Sequence, residues 1–367
     1  MTTITLNPSG NDPITRFLFS LKGKKLSILY LLLSALPLVA FLLTIVDGNF
    51  INNAMDANMV HDYGNIVLYL FGFPVTVLVT VWYSQKLPLA LSNLRENKVV
   101  VISDEEWNSF INKSNSIYSN QLISIIPYLI TLSITLYLVM VYIHPTEDCW
   151  YSLKVDGKIY WAALAMVPVY FLTFLSFLLS ISLIIKTYIV LKKLFDNYRI
   201  DVQVLHPDNC GGLSSLGALS RTLNLWIFFI GLIAATNIYM NIKLFGNTLS
   251  SMFQILIMAG YIISAYIVFF MPLHATYKSM KNAKFDTLQR INKYFINVDK
   301  KIKDDIDNLN KLDDQDVESI ESINKLYDIA LKMPVYPYDL KTVSSFIGSI
   351  FVPVLLFLLE LVLKSLI

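Results

Sequence analysis

Residues 161–195 read WAALAMVPVYFLTFLSFLLSISLIIKTYIVLKKLF and hold no charged side chain before Lys186. About 20 mainly apolar residues are enough for a helix to cross a hydrocarbon core of about 30 Å. The apolar residues run continuously instead of alternating, which favours a helix over a barrel strand. The helical pattern continues past Lys186 to Phe195. That makes about 35 residues, or roughly 52 Å at 1.5 Å per residue, so the end should project beyond the membrane.

Working outward, five further runs have the same character: about 28–46, 65–83, 122–143, 223–242 and 251–272. With 160–185 they make six spans. A seventh, C-terminal candidate covers 343–363, with Pro353 in its middle. The whole chain agrees: of 367 residues 55% are hydrophobic and only 15% charged, against about 25% charged in soluble domains. The first run is too long for a signal-peptide core and no small-residue cleavage site follows it, so it is expected to be retained. The net charge of +2 says nothing about nucleic acid.

Lys and Arg are distributed unevenly. Twenty-five of the 29 fall before span 1, in the 2–3 and 4–5 loops, or after span 6. By the positive-inside rule these regions are expected to be cytoplasmic, the N-terminus included. Three regions are expected: a six-helix membrane part at 1–272, a cytosolic antiparallel helical pair at 273–342, and an apolar helix at 343–367. In the pair, Leu288, Ile291, Phe295, Val298, Ile302, Leu309 and Leu312 form one 3-4 seam, and residues 317–330 a second. Ser103 and Glu106 make an S-x-x-E capping box that should start a short, solvated helix in the 2–3 loop.

The loop Leu205–Ser220, LHPDNCGGLSSLGALS, concentrates polar chemistry. His206, Asp208 and Cys210 stand too close together for a usual tetrahedral zinc site. Nothing establishes a base beside Cys210 for nucleophilic catalysis. No metal, cofactor or enzymatic activity is expected. Pro207, Asp208 and Asn209 favour a turn, and Gly211 and Gly212 permit positive φ. A glycine turn feeding a helix can also offer free N–H groups to an anion. His206, Asp208, Asn209, Gly211, Gly212 and Arg221 are therefore candidates for a gating or ligand-binding loop. Cys149 and Cys210 lie on opposite sides, which argues against a disulfide.

The middles of spans 1 to 6 lack Asp, Glu, Lys, Arg and His. Ion-coupled transport usually needs such groups, whereas a channel can be lined by amides, hydroxyls and backbone. Asn224, Asn237 and Asn241 are the polar candidates in span 5, with Asn237 and Asn241 on one face. Gly231 with Ala235, and Gly260 with Ser264, permit close helix contact.

HPDNCGGLSSLG (206–217) resembles a pattern found in a broad set of bacterial polytopic membrane proteins: HPD, two residues, GGL, then LG. In those proteins a PxWPFD element often precedes a final apolar helix. Here PVYPYD (334–339) matches it, with Tyr336 and Tyr338 in place of Trp and Phe. The resemblance covers about twenty residues and implies a shared scaffold. It also implies, more loosely, a kinship with channel effectors of anti-phage defence that answer a nucleotide or oligonucleotide signal. The resulting expectation is an all-α polytopic bundle acting as a homo-oligomeric channel or pore-forming effector gated from the cytoplasm, embedded in the lipid of a bacterial inner membrane. The alternatives are a small-solute permease or a non-conducting sensor or scaffold.

Overall fold

The computed structural model describes residues 5–8, 10, 16–17, 26–51, 58–143, 149–155, 158–203, 206–208, 210–244, 251–307, 314–332, 335–337 and 340–366. The chain is an all-α polytopic bundle. Among the described residues, seven helical stretches are long and apolar enough to cross a membrane, including the C-terminal one.

The helices are α1 (Leu26–Val46), α2 (Phe73–Glu96), α3 (Asp104–Tyr118), α4 (Gln121–Ile143), α5 (Trp161–Asn197), α6 (Ser214–Leu244), α7 (Ser251–Asp307), α8 (Asp314–Lys332) and α9 (Leu340–Leu366). Pro37, Pro88, Pro127, Pro168 and Pro353 all lie inside helices. Neighbouring helices and side chains can satisfy the backbone groups that a membrane proline frees. Two short antiparallel ladders complete the structure. One pairs β1 (Val100–Val101) with β4 (Arg199–Ile200), and the other β2 (Lys154–Val155) with β3 (Lys158–Ile159).

Helix α5 is the axis of the fold, packing against α1, α2, α4 and α7. As the sequence suggested, it runs unbroken past Lys186, to Asn197. A second group, α6, α7 and α9, packs alongside. There Phe269 and Phe346 stack with ring centroids 4.2 Å apart. The Tyr261 hydroxyl donates to the Ser349 carbonyl at 3.1 Å.

Helix α3 departs from expectation. Its capping box forms: the Glu106 amide donates to Ser103 Oγ, and the Ser103 amide to Glu106 Oε2. The helix is not a solvated linker, however. Trp107, Phe110, Ile111 and Tyr118 are buried against the bundle. Their spacing puts four large apolar groups on one face, and that face folds down onto α2 and α5.

Helix α7 also differs. The expected boundary at 272/273 falls inside one continuous helix of 57 residues. Beyond the membrane part it meets α8, and Lys284 Nζ donates to the Leu331 carbonyl at 2.7 Å, so the pair is antiparallel. Ile323 and Ala330 of α8 are buried, whereas Leu326 and Tyr327 stay exposed. Leu309, Leu312 and the KLDDQD turn up to residue 313 lie outside the described residues.

Candidate functional site

Two features stand out at and below the end of the bundle that carries most of the basic residues. The first is the elbow between α5 and α6. After Tyr198 the chain pairs with β1, and the Asp201 amide donates to the Val99 carbonyl at 2.7 Å. It then turns sharply at Gly211 and Gly212, whose φ angles are +67° and +87°. A Cβ on Gly212 would lie 2.4 Å from Val99 Cγ2, so this position demands both the left-handed backbone and the missing side chain.

Asp208 holds the turn. Its carboxylate accepts from the amides of Cys210 at 2.8 Å, Gly212 at 3.0 Å and Ser214 at 3.1 Å. Desolvation would raise its pKa, but the amide bonds from Gly212, Cys210 and Ser214 outweigh it and hold the carboxyl down to about 2. His206 Nδ1 lies 2.8 Å from the same carboxylate. Three N–H groups of the turn, those of Cys210, Gly212 and Ser214, are thus bonded to the protein's own anion, and the loop is a self-capped elbow at the start of α6. Cys210 is buried, and Asn209 lies outside the described residues.

The second feature is a seam of buried hydroxyls between α2 and α5. Thr76, Thr80 and Ser84 of α2 and Thr173, Ser176, Ser180 and Thr187 of α5 are all buried, and all but Thr173 bond back to a backbone carbonyl three or four residues earlier. The helices meet where Thr80 Oγ1 and Ser180 Oγ lie 2.5 Å apart. A cavity of about 10 Å³ beside this contact is lined by Thr80, Tyr83, Ser180 and Trp226, among others. It has room for about one water. Among the described residues, the Trp226 indole N–H has no hydrogen-bond partner.

Towards one end of α2 the seam meets a π-helical turn at Val67–Gly72. Such turns leave backbone carbonyls for other donors. Thr76 Oγ1 takes the Gly72 carbonyl at 2.7 Å, and the Tyr30 hydroxyl takes that of Leu70 at 2.9 Å. Towards the basic end, Thr187 Oγ1 lies 3.1 Å from the Tyr118 hydroxyl of α3. Lys186 is buried next to it and donates to the Tyr118 carbonyl at 3.3 Å and Ser124 Oγ at 3.1 Å. The seam therefore runs along α5 from the apolar core to the α3 face.

At the other end of the bundle Asp62 accepts from the Trp150 indole at 2.9 Å and from the Asn65 side-chain amide at 2.7 Å. Burial raises its carboxyl above the usual range, against the pull of the bonds from Trp150 and Asn65. Asp47 accepts from the Ala162 amide at 2.7 Å and so caps α5.

The span 5 and span 6 candidates do not converge on a common lining. Asn224 is buried and donates to Ser345 Oγ of α9 at 2.9 Å. Asn237 faces outward and bonds back to its own helix at the Ile233 carbonyl. The Asn241 side chain lies outside the described residues. Gly231 is a packing position, where a Cβ would lie 2.4 Å from Tyr261 and 2.7 Å from Pro353. Gly260 faces open space. Arg221 sits two turns into α6, away from the elbow glycines and near Lys86 of α2.

The hydroxyl seam went unread because Ser and Thr hardly lower the hydropathy of a span. Its signal was the spacing: 76, 80, 84 on α2 and 173, 176, 180, 187 on α5 each trace one helix face.

No family model, curated protein or solved structure matches this chain.

Proposed function

We propose that this multi-pass membrane protein is a channel of a bacterial inner membrane whose opening is controlled from its basic end, taken as cytoplasmic by the positive-inside rule. The observation that carries this reading is the buried hydroxyl seam between α2 and α5. Seven hydroxyl side chains inside an apolar bundle are a polar track without a fixed charge, the kind of lining a channel can use. In the packed state the track is closed, because Thr80 meets Ser180. The α5–α6 elbow and the buried face of α3 grip the basic end of the same helix, so a displacement there would shift α5 against α2.

Assembly into homo-oligomers, with α7 and α8 as contact elements, belongs to the proposal. So does control by a cytosolic nucleotide or oligonucleotide in anti-phage defence, which the HPD-GGL resemblance implies. Such a ligand would act elsewhere than on the elbow amides, which Asp208 occupies.

The test is conductance of the full chain in a planar bilayer. Thr80→Val with Ser180→Ala should change unitary conductance or open probability while the protein still folds. A correctly folded wild-type protein that never conducts, with or without cytosolic extract, would overturn the channel reading in favour of a scaffold.

A further inference from the structure

At the basic boundary of the bundle, α2 and α6 bring two cations together. Lys86 Nζ lies 3.8 Å above the Trp82 ring and 3.4 Å from Thr222 Oγ1. That contact places Lys86 beside Arg221, close enough for the two charges to act on each other. Like charges at this range repel, and a protein that keeps them adjacent without a carboxylate leaves room for an anion. Among the described residues, neither the ion pairs Arg95–Asp104 and Lys303–Asp299 nor the His206–Asp208 contact involves Lys86 or Arg221.

The surroundings specify the kind of anion. Trp82 is 38% exposed, Leu89 62% and Leu225 44%. Leu225 is one turn beyond Arg221 and Leu89 nearly one turn beyond Lys86, so exposed apolar side chains flank both cations. A tryptophan at the end of a span with cations one turn further out marks the headgroup level of a bilayer. A free phosphate would use the charges alone, whereas an anionic phospholipid uses the charges and the apolar flank together. We infer that Lys86 and Arg221 form a binding site for the phosphate of an anionic phospholipid, with Trp82 and Leu225 against its glycerol and upper acyl carbons; the buried Thr222 hydroxyl, which donates to the Ala218 carbonyl, holds Lys86 in place. The inference does not depend on conduction, only on the bundle lying in a membrane.

Native mass spectrometry of the full chain in mild detergent tests this, with phosphatidylglycerol and phosphatidylcholine of the same chain length as probes. Wild-type protein should bind phosphatidylglycerol in preference. Lys86→Gln and Arg221→Gln should each weaken that binding by about fivefold, the contribution of one cation near a charged lipid surface, and leave phosphatidylcholine unchanged. Lys86→Arg should retain the preference. Millimolar inorganic phosphate should not displace the lipid; displacement would reassign the site to a soluble phosphate and overturn the lipid source. Equal binding of the two lipids by wild-type protein would also overturn the inference, and that comparison needs no variant. So would a folded double Gln variant that keeps the preference.

Discussion

Gly212 answers to two constraints at once, a φ of +87° and a Val99 methyl where its Cβ would be. Gly212→Val should therefore cost at least the roughly 1–3 kcal/mol of a strained backbone, and more for the clash. Cys210 is buried only two residues away, yet no chemistry is assigned to it. Replacing its thiol by hydrogen in Cys210→Ala should cost on the order of 1 kcal/mol. Expression yield and thermal melting of both variants in detergent check this pair, and a silent Gly212→Val beside a non-functional Cys210→Ala would reverse the roles. Asp208 makes a pH prediction. Its folded carboxyl lies at about 2, below the ordinary 3.8. A depressed carboxyl contributes stability that is fully present above the unfolded value and lost as pH falls through the folded one. The melting difference between wild type and Asp208→Asn should thus be constant from neutral pH to about 4 and shrink towards pH 2. A difference already gone at pH 5 would mean that the amide bonds do not hold the charge.

Between elements, the glycines of α6 and α7 separate packing from open surface. Apolar burial gives little net drive between helices in lipid, so close van der Waals approach matters more. Gly231→Ala would push into Tyr261 and Pro353, where α6, α7 and α9 meet, and should lower stability by roughly 1–3 kcal/mol. Gly260→Ala meets nothing in the monomer and should leave its melting unchanged. If Gly260→Leu altered the native mass of an oligomer while melting of the protomer stayed the same, that face would be a subunit contact. At this scale the sequence was readable where hydropathy and spacing agree. The apolar runs located the spans, Ser103 and Glu106 located the start of α3, and the chain beyond Lys186 foretold the length of α5. It was unreadable where a tertiary contact decides. The apolar face of α3 could have met lipid, water or protein, and only the fold of the 2–3 loop onto α5 chooses among them. The hydroxyl seam needed two helices in register, which no single span reveals. The elbow was legible as a turn from Pro207, Gly211 and Gly212. That Asp208 would take the turn's own amides was not, because a carboxylate and a bound phosphate satisfy the same donors.

For the whole molecule, the first question is which side the basic end faces. A single cysteine at position 294, an exposed site on the projecting part of α7, reports it on a background of Cys149→Ala and Cys210→Ala. An impermeant maleimide should fail to label it in intact cells and should label it in inverted vesicles; labelling from outside would invert the topology. The same helix has a mechanical consequence. With 57 residues and no interruption, α7 is about 85 Å long, and residues 273–307 account for about 52 Å of it. Its inner part is wedged by Phe269 and Tyr261 against α9, and its outer part is loaded by α8. It is a lever arm with the bundle as fulcrum. A tilt of about 6° carries its tip roughly 5 Å while the wedged rings shift by a fraction of that. Weak forces on the tip therefore arrive at the bundle as strong forces over short distances, so a partner that grips residues near Asp307 could work the membrane helices without ever touching them.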